Sequence, residues 1–149
     1  MSNNSVSFHR VLKASPEKVY RAFTEGNALA SWLPPYGFLC TVQEISVKVG
    51  GTFKMTFYNF STGSPQSFGG KYVEIKPNEF LKYVEKFDDP NLAGEMTTSV
   101  WLKKLSVGTE LKISQEGIPA VIPAEMCYLG WQDSLEKLAK LVEPEIPDA

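Results

Sequence analysis

Histidine is almost absent: His9 is the only one in 149 residues. A Ser–His or Cys–His nucleophile system would have to be built on that single side chain. His9 shares the Val11 and Lys13 side of the first strand pattern, opposite Phe8 and Leu12. It therefore reads as facing solvent, away from any substrate held inside the fold. Cysteine is scarce too. Cys40 and Cys127 show no metal-ligand spacing, so no metal centre is expected, and reduced thiols in a cytoplasmic setting are the natural reading. No apolar run approaches the roughly 18 residues needed to span a membrane. The first five residues offer neither a charged n-region nor an apolar h-region, so no secretory signal is expected. Basic residues are scattered without a run of about five or more, and the formal net charge is −2. Nucleic acid is thereby excluded as the main partner. Internal repeats, low-complexity tracts and linkers are also missing. One domain over residues 1–149 is expected, with its core in 6–143, a short flexible N-terminus and a Pro-rich acidic tail.

What the chain has in quantity is aromatic surface. Nine Phe, six Tyr and three Trp make up 12% of the residues, enough for a wide core or an apolar cavity. The chain is organised around its last helix, expected from Pro123 to about Val142. Ala124, Tyr128, Trp131, Leu135, Leu138 and Val142 recur at spacings of four and three, one stripe at about 100° per residue, with Cys127 at its edge. Glu125, Gln132, Glu136, Lys137 and Lys140 take the other side. Pro123 suits a first turn and Pro144 a stop. Gly130 inside the helix costs about 1 kcal/mol relative to Ala, which implies that something approaches the helix backbone closely there.

Ahead of that helix, residues 6–14 alternate as a strand. Ser15-Pro16-Glu17 then opens a helix with an N-cap, a proline and an acid in the first turn. A second short helix, 28–32, ends at Pro34-Pro35. From residue 38 the period becomes two: one strand or a bulged pair over 38–49, then strands over 52–59, 67–76, 80–87, 97–105 and 109–115. Turns fall at Gly50-Gly51, 61–65, 76–79 and 106–108, and Gly69-Gly70 marks a bulge. Hairpin-connected strands mean an antiparallel sheet, and the helices at the two ends of the chain must cover its apolar face. The fold class is α+β: a curved antiparallel sheet of about six to seven strands around a long C-terminal helix, with two short helices after the first strand.

Six stretches carry a family likeness: FHRVLKASPEKVYRAFT (8–24), LASWLPP (29–35), VGGTFKM (49–55), GKYVEIKPNE (70–79), GTELKISQEGIP (108–119) and GWQDSLEKL (130–138). Together they resemble the helix-grip superfamily, also called START-like or SRPBCC. Within it they resemble the branch named after the activator of heat-shock protein 90 ATPase. The resemblance implies the helix-grip fold. It also implies a range of functions, since the superfamily holds lipid carriers, hormone receptors, polyketide cyclases and the chaperone-activating domain.

Trp32, Phe53, Met55, Phe57, Tyr83, Cys127 and Trp131 are expected to converge between sheet and helix. They make either the wall of a ligand pocket with a few polar tips or a filled core, since each buried Trp contributes about 4–6 kcal/mol at most. Arg10 shares parity with Phe8 and Leu12. It could clamp a ligand carboxylate or pair with Glu85, but an arginine at the sheet rim with its head in water is favoured. Asp88-Asp89-Pro90-Asn91 with Glu95 lacks the central glycine and alternating oxygens of a calcium loop and reads as solvated. Met126 and Leu129, opposite Trp131, read as isolated exposed apolar residues, with a partner or homodimer surface as the sharper alternative. The function expected is non-catalytic binding of a small apolar or amphipathic molecule, with no cofactor. Behind it stand a co-chaperone-like interaction module and a cyclase- or hydrolase-like enzyme using Tyr83, Glu74 or Glu85. The enzyme would need a carboxylate inside the cavity with a raised pKa.

Overall fold

The computed structural model describes residues 4–148; most of the expected flexible N-terminus, residues 1–3, lies outside the described residues. The first strand, β1 (Ser5–Leu12), is followed by α1 (Pro16–Thr24) and α2 (Gly26–Trp32). Next come β2 (Phe38–Ile45), β3 (Thr52–Asn59), β4 (Pro65–Lys76), β5 (Phe80–Phe87), β6 (Met96–Leu105), β7 (Gly108–Glu116) and finally α3 (Ala124–Val142). The seven strands form an antiparallel sheet in the order β1-β7-β6-β5-β4-β3-β2. It curls into a half-barrel, the helix-grip fold. From β2 onward every strand pairs with the next one in sequence. β1 and β2 instead lie at opposite edges, so α1 and α2 carry the chain across the concave side, where they meet α3.

Local chemistry sets this crossing. Ser15 accepts from the backbone N–H of Lys18 at 3.2 Å, capping α1 as its position before Pro16 demands. Trp32 closes α2: its ring is fully buried, set edge-on to Phe23 at 4.9 Å, and its indole N–H donates to the Ala22 carbonyl at 2.8 Å. The two short helices are thus pinned together as a bent brace.

Sheet curvature comes with register shifts in β2, between Val42 and Glu44, and in β4, between Tyr72 and Glu74. The bulge expected at Gly69-Gly70 is absent. Both glycines pair regularly with β3 and β5. Gly70 is needed for a different reason: the ring of Phe53, its partner across β3, lies over it. A Cβ there would stand 2.6 Å from that ring and closer still to the Val84 carbonyl oxygen. The strand expected to reach residue 49 stops at Ile45, because the chain turns on itself through a hydrogen bond from Gly51 N–H to the Lys48 carbonyl at 2.7 Å.

Along α3, Leu135, Leu138 and Val142 are buried, each contributing about 1.5–3 kcal/mol as an upper figure. Lys13 N–H donates to Glu143 at 2.9 Å and Lys18 to the Pro144 carbonyl at 2.9 Å, which fastens the far end of the helix to β1 and α1. The first half of α3 is held more lightly. Tyr128 is 40% exposed and rests on Phe8 at 4.6 Å, with Trp131 6.0 Å from the same ring. Backbone contacts of α3 are confined to α1, α2 and β1. Over the middle of the sheet only side chains bridge the gap, and the space they leave is the site. Among the described residues no helix is long and apolar enough to cross a membrane.

Candidate ligand-binding site

Between the concave face of the sheet and the first half of α3 lies a cavity of about 510 Å³. Its walls come from one end of the half-barrel: Phe57, Phe68, Phe87 and Met96 from the sheet, Leu92 from the connection between β5 and β6, and Ile122 at the approach to α3. Met126, which also lines it, is 64% exposed and marks the rim. This is the size and apolar character of a small-molecule site.

Four of the residues singled out from the sequence, Phe57, Tyr83, Cys127 and Trp131, line this cavity. Trp32, Phe53 and Met55 do not. Trp32 is spent on the helix brace, whereas Phe53 and Met55 are buried within the core, Phe53 against Tyr72 and Tyr83. Leu129 is 60% exposed and outside the lining.

The floor carries the chemistry. In-facing residues of β5, β6, β7 and β1 form two neighbouring cross-strand rows. Leu81, Val100, Ile113 and Phe8 make an apolar row, each paired with the next. One step toward the mouth, Tyr83, Thr98 and Gln115 make a polar row by the same pairing. Glu85, two residues beyond Tyr83 on the same face, is buried beside them. Trp131 N–H donates to Gln115 Oε1 at 3.1 Å, while Gln115 Nε2 donates to Thr98 Oγ1 at 3.2 Å and to Glu85 Oε1 at 3.4 Å. An indole can only donate, so it fixes the Gln115 amide with its NH₂ toward Glu85. Glu85 Oε1 is then the accepting oxygen, and Oε2 has no partner among the described residues. No buried side-chain N or O among them lacks a partner, which places Oε2 at the cavity surface rather than in packed interior.

Burial without a cation raises the Glu85 carboxyl to about 8. Burial also pushes the Tyr83 phenol well above its ordinary value, with the nearby Glu85 and Tyr72 adding to the effect. The Cys127 thiol is raised by burial, and Cys40 is raised to about 11 by burial against the opposing pull of Lys137. Both cysteines are protonated thiols, poor nucleophiles. Arg10 does not reach Glu85: its guanidinium donates to the His9 carbonyl at 2.9 Å in solvent. His9 is exposed and pairs with Glu110 at 2.9 Å. Asp88 pairs with Lys54, and Asp89 caps the short turn Pro90–Leu92 by accepting from Asn91 N–H at 2.9 Å. Glu74 is exposed.

Gln115, Thr98 and Ser134 are site or near-site polar residues absent from the sequence expectation. The first two were legible: Gln115 continues the period of Leu111 and Ile113, and Thr98 that of Val100 and Leu102. Ser134 was not, because its hydroxyl donates to the Leu33 carbonyl at 2.6 Å, a contact only the folded chain creates. Gly130 also lines the cavity, and a Cβ built there meets nothing within 4 Å. No backbone approaches it; the expectation of a close approach is corrected to one of open space.

The family model described as Activator of Hsp90 ATPase homolog 1-like protein matches residues 13–143. A crystal structure of a protein from Chromobacterium violaceum is similar at 54% identity, over 95% of this chain and 99% of that chain, with a TM-score of 0.94. A Rhodobacter sphaeroides protein shares the fold at 21% identity, over 92% of this chain and 90% of that one, with a TM-score of 0.79. The solution structure of an AHSA1-like protein from Aeromonas hydrophila does so at 17% identity, covering 91% and 90%, with a TM-score of 0.75. No curated protein matches the chain.

Proposed function

The chain belongs to the Activator of Hsp90 ATPase homolog 1-like family, and we propose that it acts as a single helix-grip domain that binds a small apolar or amphipathic molecule between sheet and C-terminal helix. The family's fold fits ligand or protein binding in general. The observation that supports the ligand reading is the cavity of about 510 Å³, lined by aromatic and aliphatic side chains with one convergent polar cluster on its floor. Filling it with protein side chains would have been the more stabilising choice, and Gly130 leaves the space open.

Native mass spectrometry of the untreated protein, followed by titration with the neutral dye N-phenyl-1-naphthylamine, tests this reading. The expected result is a bound mass released on denaturation, or saturable dye fluorescence abolished by Gly130→Phe. A bare mass with no dye binding would discard the cavity as a site and move attention to the surface.

The cyclase- or hydrolase-like reading gains one observation, a cavity carboxyl raised to about 8. It still needs a second acid–base group. The titratable neighbours Tyr83, Tyr72 and Cys127 are all shifted upward by burial, away from neutral pH. Binding without chemistry is the reading supported best. The co-chaperone reading rests on the family's name, and failure to retain an Hsp90-type chaperone in a pull-down would count against it.

A further inference from the structure

The cavity's charge pattern is one-sided. Among the described residues lining it are one carboxyl, Glu85, and no Lys, Arg or His. Six aromatic rings surround the space: Phe38, Phe57, Phe68, Tyr83, Phe87 and Trp131. Glu85 Oε1 is engaged by Gln115, itself held by Trp131, and the Glu85 carboxyl lines the cavity with its other oxygen left over for a ligand. A ligand carboxylate or phosphate would meet no cation there and would face an acid. An organic ammonium would meet a carboxylate that can take its N–H and ring faces whose quadrupoles attract positive charge.

We infer that the molecule this cavity accepts is a lipophilic amine, bound as its ammonium, with Glu85 Oε2 as the counter-ion and the apolar body against the aromatic walls. This rests on the cavity being a ligand site, as proposed above. The proton balance is simple. R–NH₃⁺ enters, Glu85–COOH releases its proton to solvent, and the pair Glu85–COO⁻ with R–NH₃⁺ remains. An uncompensated carboxyl in this setting is held protonated by burial, and the incoming cation removes that penalty. The groups facing or lining the space near Glu85 are Tyr83 on the same strand, Thr98 and Met96 on β6, Gln115 on β7, and Cys127 and Trp131 on α3, with the Tyr72 phenol on β4 near enough to be raised by a Glu85 charge. Those that titrate, Tyr72, Tyr83 and Cys127, are all moved upward, so around neutral pH Glu85 is the group among them that changes charge.

Three probes of one shape decide the matter: 1-naphthalenemethylamine, 1-naphthalenemethanol and 1-naphthoic acid, titrated by calorimetry against the full chain and against Glu85→Gln. The amine should bind about tenfold or more tighter than the alcohol, from charge-assisted and cation–π contacts, and the acid weakest. Glu85→Gln should remove that preference, bringing amine and alcohol affinities to within about twofold of each other in the variant, because the isosteric amide keeps the shape without the charge. Amine affinity in the unaltered protein should rise as pH climbs through about 8, since less of Glu85 then carries a proton that binding must displace, and fall once the probe itself deprotonates. Equal binding of amine and alcohol, or a preference that survives in Glu85→Gln, would overturn the amine inference and leave the cavity reading standing. So would alcohol binding that is stronger than amine binding below pH 8 and lost above it, which would make Glu85 a neutral donor. Failure of all three probes, with no dye bound either, would overturn both.

Discussion

The indole N–H of Trp131 on α3 donates to the side-chain carbonyl of Gln115 on β7 at 3.1 Å. This bond joins the lightly held half of the helix to the sheet floor and orients the amide that holds Glu85. Trp131→Phe should retain most of the ring contact with Phe8 while leaving Gln115 Oε1 without its donor. A loss of about 1–2 kcal/mol is expected, read by urea denaturation. In a Gln115→Leu background the same change should cost measurably less, because the orphaned acceptor is already gone. Equal costs in both backgrounds would mean that the bond contributes nothing beyond ring packing.

Glu85 should make stability fall as pH rises. Its carboxyl lies at about 8 in the folded chain against an ordinary 4.5, so the native state holds the proton more tightly than the unfolded state between those values. Stability from this group is therefore full below the unfolded value and lost progressively as pH climbs to about 8. The full span is on the order of 5 kcal/mol. Thermal melts from pH 5 to pH 8.5 should show the decline in the unaltered protein and a nearly flat profile in Glu85→Gln. A flat profile in both would place Glu85 in a wetter setting than its burial implies.

How much of this could be read from the chain follows from which interactions are periodic. Alternation placed Leu81, Tyr83 and Phe87 on one face and carried Glu85 with them, and the stripe of α3 placed Leu135, Leu138 and Val142. Parity identifies a face but not a position along the strand. Phe53 and Met55 therefore share a face with Phe57 yet sit deeper than the cavity. Contacts to backbone carbonyls, such as Trp32 to Ala22 and Ser134 to Leu33, depend on helix packing, which no local pattern encodes. They took Trp32 out of the site and brought Ser134 to it.

Gly70 makes the same point about glycines. Its sequence context reads as a bulge, but its role is to let the Phe53 ring lie across the backbone, where a Cβ would come within 2.6 Å of that ring. Gly70→Ala should destabilise by about 1–3 kcal/mol through overpacking, measured by urea denaturation. A smaller change in Gly70→Ala combined with Phe53→Leu would assign the cost to that ring rather than to the neighbouring Val84 carbonyl.

Gly130 should behave in the opposite sense. It sits mid-helix with nothing within 4 Å of an added Cβ, so Gly130→Ala meets no clash and removes the flexibility that makes glycine costly in helices. A gain of about 0.5–1 kcal/mol is expected, seen as a higher melting temperature. Larger residues separate stability from function. Gly130→Phe, projecting into the cavity that Gly130 lines, should fold and bury new apolar surface while abolishing dye and amine binding. If Gly130→Phe bound as well as the unaltered protein, the space over Gly130 would not be where ligands sit. If it instead failed to fold, Gly130→Val would ask the same question with less bulk. A glycine that lowers helix stability and touches nothing is explained by the volume it leaves empty, and this pair of substitutions measures both halves of that exchange.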